Sequence, residues 1–249
     1  MAKRICLQSG HEGVTIGATG APGEKELNIR IRNKLSDILI SKGFVLQLVN
    51  ANPTDEEINK DYDLFLALHG DADIYGTGGG FVDYPDASVD SANAESKRIK
   101  EAIESMYFGH SGIVNHPERS NANTKFYYMW SRLSQKTPCV IIEMGVVQDA
   151  HDKVILADTD RVANAIARGI CKAFDVPFDV SNSQNTPSNG VITISKTEFE
   201  QMKMEIASYK DRYEKTLASL ALIKEECEQK LQARLADFKR KVNDLTSTL

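Results

Sequence analysis

The sequence predicts an α/β protein: a mainly parallel, twisted sheet flanked by helices, then a linker and a long C-terminal helix of coiled-coil character. Three observations predict it. Up to residue 178, short apolar runs alternate with segments whose apolar residues recur at helical spacing, the pattern of strands joined by crossover helices. Two runs, residues 62–70 and 138–145, are apolar almost throughout, as strands covered on both faces must be. From residue 199 onward there is no Pro or Gly, and apolar residues step by three and four.

The elements follow in order. "RICLQS" (4–9) reads as a strand. Residues 24–43 read as a helix, with Leu27, Ile31, Leu35, Ile38 and Leu39 near helical spacing and Gly43 at the C-cap position. "FVLQLV" (44–49) is a strand, 55–62 a short helix and 62–70 a buried strand. A helical pattern covers 88–107, a second buried strand 138–145, and a helix 158–174 with Asp158 or Thr159 as its N-cap. "GTGGG" (76–80) lacks the spacing of a nucleotide-binding loop and reads as a mobile loop.

Residues 1–178 therefore form one domain. Polar, Pro- and Gly-containing residues within 179–196 form a linker, and 197–249 a helical segment opened by a capping-box pattern, "TEFE". Its seam runs through Phe199, Met202, Ile206, Tyr209, Tyr213, Thr216, Leu220, Ile223 and Cys227, and resumes at Leu231, Leu235, Phe238, Val242, Leu245 and Leu249. Such a stripe needs a partner, and a homo-oligomer joined through this helix is expected.

Composition narrows the function. A formal net charge of −5, with no basic patch interleaved with aromatics, argues against a nucleic-acid binder. No apolar stretch reaches the length of a membrane span. The N-terminus lacks the apolar region and cleavage site of a signal peptide, so cytoplasmic synthesis without one is expected. None of the four cysteines forms a CxxC pair, and reduced, buried thiols are expected.

Three apolar runs end in chemically capable side chains: His11, His69 and Glu143. Ligands of parallel α/β sheets bind beyond the carboxyl ends of the strands, so neighbouring strands would bring the three together. Glu24, opening a helix after the Gly-rich residues 17–23, falls at the same edge. Singly, each has an ordinary reading: a turn histidine, a core histidine, and a first-turn carboxylate that complements the helix dipole. Glu143 resists one, because a carboxylate after four apolar residues is costly to bury unpaired. Jointly, His11, Glu24 and His69 supply three ligands of a catalytic zinc site, with Glu143 left as the base.

Four stretches then resemble a known family, the zinc-dependent N-acetylmuramoyl-L-alanine amidases of the amidase-3 type found in bacterial autolysins and phage endolysins. They are "SGHEG" (9–13), "GATGAPGEKELNIRI" (17–31), "YDLFLALHGDA" (62–72) and "TPCVIIEMGVVQD" (137–149), and the likeness spans residues 3–176. The resemblance implies zinc held by His11, Glu24 and His69, Glu143 as the catalytic glutamate, and peptidoglycan as substrate, cut between N-acetylmuramic acid and L-alanine. It also implies a lysin that reaches the cell wall after release. Departures are Gln8-Ser9 for the family's Asp-Pro, Gly70-Asp71 for Ala-Asn, and Val146-Val147 for Phe-Leu.

Two other readings stand beside this one. One is a zinc carboxypeptidase or endopeptidase acting on stem peptides; an arginine able to hold a terminal carboxylate would favour the carboxypeptidase, Arg119 and Arg132 being the candidates. A non-catalytic coiled-coil assembly protein would have no use for the four site residues. For the helical seam the expected outcome is multi-chain mass in light scattering of the full chain; a monomer would contradict self-association.

Overall fold

The computed structural model describes residues 2–178, except residues 16, 19–20, 73–75 and 91–93, together with Lys224, Lys230, Leu231, Arg234, Leu235 and Phe238. The chain divides into two compact units, Met1–Asn182 and Ser183–Leu249. In the second unit the six described residues are helical and exposed. The expected linker and the rest of the coiled-coil seam lie outside the described residues.

The first unit is a five-stranded sheet of order β2-β1-β3-β5-β4, made of β1 (Arg4–Ser9), β2 (Val45–Val49), β3 (Leu64–Asp71), β4 (Phe81–Asp83) and β5 (Cys139–Val146). The first three strands and β5 are parallel; β4 pairs antiparallel with β5 at the edge, so the sheet is mixed rather than wholly parallel. Just before β4 the chain lies close against β5 at Gly80, where a Cβ would overlap the backbone carbonyl of Glu143. The loop preceding β4, expected to be mobile, is tied down: Arg119 donates to the carbonyls of Thr77, Gly78 and Gly79, and Asp152 accepts from the Gly79 N–H.

Helices α1 (Glu24–Ser41), α2 (Asp55–Ile58), α3 (Ala94–Ser111), α4 (Ala122–Lys125), α5 (Ala150–Ala157) and α6 (Thr159–Ala173) complete the unit. Asp158 caps α6, its side chain accepting from the Arg161 N–H, which decides between the two caps the sequence allowed. Strand side chains alternate between faces. Ile5, Leu7, Leu64, Leu66, Leu68, Val140, Ile142 and Met144 pack with α1, α3 and α6. Cys6, Phe65, Ala67, Cys139 and Ile141 pack on the other face with Ile58, Met129, Trp130 and Leu133. Both faces are dry, which is why these strands read as continuous apolar runs.

Cys6, Cys139 and Cys171 are buried. Burial pushes the Cys6 thiol up to about 12 and the Cys171 thiol up to about 11, leaving both protonated and unreactive. Cys227 lies outside the described residues. No helix among the described residues is long and apolar enough to cross a membrane.

Helices α3 and α6 cross closely at Gly169, where a Cβ would lie 2.5 Å from the Ile103 Cα. Backbone cannot yield as a flexible side chain can, so Gly169→Val forces the helices apart. The expected cost is about 1–3 kcal/mol, the range of core overpacking, measured by urea unfolding. An unchanged midpoint would contradict the tight crossing.

Candidate metal centre

The sheet reverses its winding between β1 and β3, and α/β folds bind ligands at the carboxyl ends of strands flanking such a switch point. His11 follows β1, and His69 sits near the end of β3. Period-two alternation carries His69 onto the face of Phe65 and Ala67, and Glu143 onto the face of Cys139 and Ile141, which is the same face. His69 and Glu143 are direct partners in the β3–β5 register. Strands β1, β3 and β5 are neighbours, as the convergence of their terminal side chains required.

Glu24 arrives from the opposite layer, at the N-terminus of α1, and is fully buried. Its Oε1 lies 3.1 Å from His11 Nε2 and 3.2 Å from His69 Nδ1. Asn28 Nδ2 also donates to Oε1 (3.4 Å), and the Ala18 N–H donates to Oε2 (2.7 Å). Burial opposes ionisation of this carboxyl, but the hydrogen bonds from His11, His69 and Ala18 outweigh it and hold the group down at about 2.

The residues around the histidines explain the opening motif. At Gly10 a Cβ would overlap the His69 ring, so only glycine lets the imidazole lie against the backbone. His11 itself takes the left-handed conformation, with φ of 64°. Its loop is pinned by Gly10 N–H donating to Leu68 O, by Asn28 Nδ2 donating to Gly10 O, and by an ion pair between Glu12 and Arg32. His11 Nδ1 meets Thr15 Oγ1 at 2.7 Å, and His69 Nε2 meets the Tyr127 hydroxyl at 3.3 Å.

The three donors fit a divalent transition metal. Nitrogen and oxygen donors held at about 2.0–2.1 Å in a tetrahedron lie about 3.3 Å apart. The observed separations of 3.1 and 3.2 Å are close to that edge. The charge balance agrees. Burial, then the charges of Asp71 and Glu24, raise the Glu143 carboxyl well above the usual range. Burial raises Asp71 to about 6, against the Ala72 N–H and Arg119. Asp71 Oδ2 is buried with no hydrogen-bond partner. A dication among the three donors would add positive charge beside these carboxyls, beyond what Arg119 supplies to Asp71.

His11, Glu24, His69, Asp71, Tyr127 and Glu143 line one cleft of about 320 Å³. Glu143 keeps partial access to this cleft although protein surrounds it. The site therefore combines a triad that could hold a cation with a carboxyl that can carry a proton beside it. Asp149, His151 and Asp152 also cluster, but Asp149 caps α5, and Asp152 accepts from the N–H groups of Gly79 and Val146.

Neither candidate arginine lines the cleft. Arg119 binds the loop at residues 77–79, and Arg132 binds Pro53 O and Asp55. This removes the feature that would favour a carboxypeptidase. Sequence reasoning did not single out Tyr127, Thr15 or Asn28. Asn28 carried one usable signal, lying one helical turn after Glu24.

The fold and donor set define an α/β domain with a buried His–Glu–His group that could hold a metal ion. The chain belongs to the Amidase_3 family, N-acetylmuramoyl-L-alanine amidase, which matches residues 5–173. It is similar to the N-acetylmuramoyl-L-alanine amidase LytC of Bacillus subtilis (strain 168), with 28% identity over 181 residues. That likeness covers 68% of this chain but only 35% of LytC, so the chain spans about a third of that relative's length. Among solved structures, the catalytic domain of CwlV, an amidase from Bacillus (Paenibacillus) polymyxa var. colistinus, shares the fold at 21% identity with a TM-score of 0.55, covering 70% of this chain and 99% of that one. The amidase AmiC2 of Nostoc punctiforme does so at 22% identity with a TM-score of 0.56, covering 70% and 97%.

Asp71 gives the site a pH signature in the metal-free protein. The unfolded carboxyl ionises near 3.8, while the folded one holds its proton to about 6. Between these values the folded state binds the extra proton, so stability falls as pH rises. Asp71→Asn is expected to leave stability near pH 3 little changed and to raise it above pH 6, by thermal unfolding. An equal effect at both pH values would contradict the assignment.

Proposed function

We propose that this chain is a zinc-dependent N-acetylmuramoyl-L-alanine amidase, hydrolysing the amide between the lactyl group of N-acetylmuramic acid and L-alanine in peptidoglycan. One observation carries the reading: the donors of His11, Glu24 and His69 lie within 4.8 Å of one another, in the cleft that Glu143 lines, in a member of this family. His11 Nε2, Glu24 Oε1 and His69 Nδ1 would hold the ion. Zinc in such a site polarises a carbonyl and makes water nucleophilic near neutral pH. Glu143 accepts the proton of the attacking water and delivers it to the leaving alanine nitrogen, so that one side chain serves as base and then acid. Asn28, Thr15 and Tyr127 hold the ligating side chains in place. Because peptidoglycan lies outside the cell membrane, the same reading has the enzyme act at the wall, as a lysin.

Mass analysis of purified peptidoglycan after digestion is expected to show free L-alanine amino termini on released peptides, with intact lactyl groups on the glycan. Cleavage only within the stem peptide would overturn the proposal. Glu143→Gln is expected to keep bound zinc and lose ~10²–10⁴-fold in turnover. His69→Ala is expected to lose the zinc itself, by metal analysis. Zinc retained by His69→Ala would overturn the ligand assignment.

A further inference from the structure

Gln8 is fully buried in β1, where an amide is expensive unless its hydrogen bonds are met. Its Nε2 has no partner, and its Oε1 accepts from the Tyr127 hydroxyl at 2.9 Å. That hydroxyl is the group facing His69 Nε2. Gln8 pairs with Ala67 in the β1–β3 register, so it shares the face of His69 two residues further along β3. Residues 119 positions apart thus meet at one imidazole.

We propose that Gln8 and Tyr127 form a relay that fixes His69 as a ligand through Nδ1, making both positioning residues for the metal centre. A phenol has one proton. Given to Gln8 Oε1, it leaves the Tyr127 oxygen only able to accept, and the proton it accepts sits on His69 Nε2. When an ion takes the place of the proton that Nδ1 shares with Glu24 Oε1 at 3.2 Å, the lone pair of the neutral imidazole is then on Nδ1. The far nitrogen of a ligating histidine is held in this way when its ring orientation and basicity are set from outside the metal's own ligands.

His11 is arranged alike with its nitrogens exchanged. Nδ1 meets Thr15 Oγ1, which donates onward to Gly17 O (3.5 Å), and Nε2 faces Glu24. Each imidazole thus meets a hydroxyl at the nitrogen that does not face Glu24. The Tyr127 ring is itself held by edge contacts to Trp130 and Tyr128, with centroids at 5.3 and 4.6 Å, and by a third to His69 at 5.6 Å. Removing the hydroxyl alone therefore leaves the ring packed.

The relay rests on the zinc reading, and the test separates the two. Zinc affinity of the full chain is measured by chelator competition, alongside nitrogen-15 spectra of histidine-labelled, zinc-loaded protein. Tyr127→Phe and Gln8→Leu are expected to weaken zinc binding by ~10–100-fold, the usual effect of losing such a partner. Gln8→Glu, which keeps an acceptor, is expected to bind zinc within a few-fold of wild type. Wild type is expected to show a His69 Nε2–H resonance protected from exchange, lost in Tyr127→Phe. Unchanged affinity and an unchanged His69 resonance in Tyr127→Phe would overturn the relay while leaving the metal centre intact. Coordination of zinc through His69 Nε2 would also overturn it. Wild type that binds no zinc would overturn the metal centre, and the relay with it.

Discussion

The Glu24 carboxylate is fully buried, and both of its oxygens are engaged. Oε1 faces His11 Nε2, His69 Nδ1 and Asn28; Oε2 accepts from the Ala18 N–H. One side chain at the start of α1 thereby joins the loop after β1, the Gly-rich segment before α1, the helix itself and the end of β3. A buried charge is tolerable only when its lone pairs are met and opposite charge is near. The helix N-terminus favours an anion, and the two imidazoles supply the remaining partners. The geometry that satisfies the carboxylate also brings three side chains that could ligate a metal within 4.8 Å of one another.

The sheet supplies the rest. Period-two alternation places His69 and Glu143 on one face, and the β3–β5 register sets them side by side. Beneath them Phe65, Ala67, Cys139 and Ile141 form a dry floor with Trp130. That dryness raises Glu143 and Asp71 above ordinary carboxylates and makes the cleft respond strongly to charge. The proposed function needs a group that takes a proton from water and returns it to a nitrogen, which a raised pKa favours; burial, then the charges of Asp71 and Glu24, raise Glu143.

Much of this was legible in the sequence because strands dry on both faces leave unbroken apolar runs, and a run ending in His or Glu marks the sheet edge. Residues 62–70 and 138–145 carried both signals. Strand β4 did not, since three residues after a Gly-rich loop give no period to count. The helix expected over 88–107 begins later, at Ala94, and runs on to Ser111, because nothing in the local pattern fixes its ends. Tyr127 was invisible for a different reason. Its role depends on meeting Gln8 across 119 positions, and no local spacing encodes that contact. Gln8 interrupts an apolar strand, a signal of cost whose compensation appears only in the fold.

The central claim is that Glu24 gathers two imidazoles into a zinc site. Anomalous scattering at the zinc edge, from crystals of the zinc-loaded protein, tests it most directly. The predicted result is one peak at bonding distance, about 2.0–2.2 Å, from His11 Nε2, Glu24 and His69 Nδ1, with Glu143 facing the same cleft and not ligating. A peak among Asp149, His151 and Asp152, or none within reach of Glu24, would contradict the account.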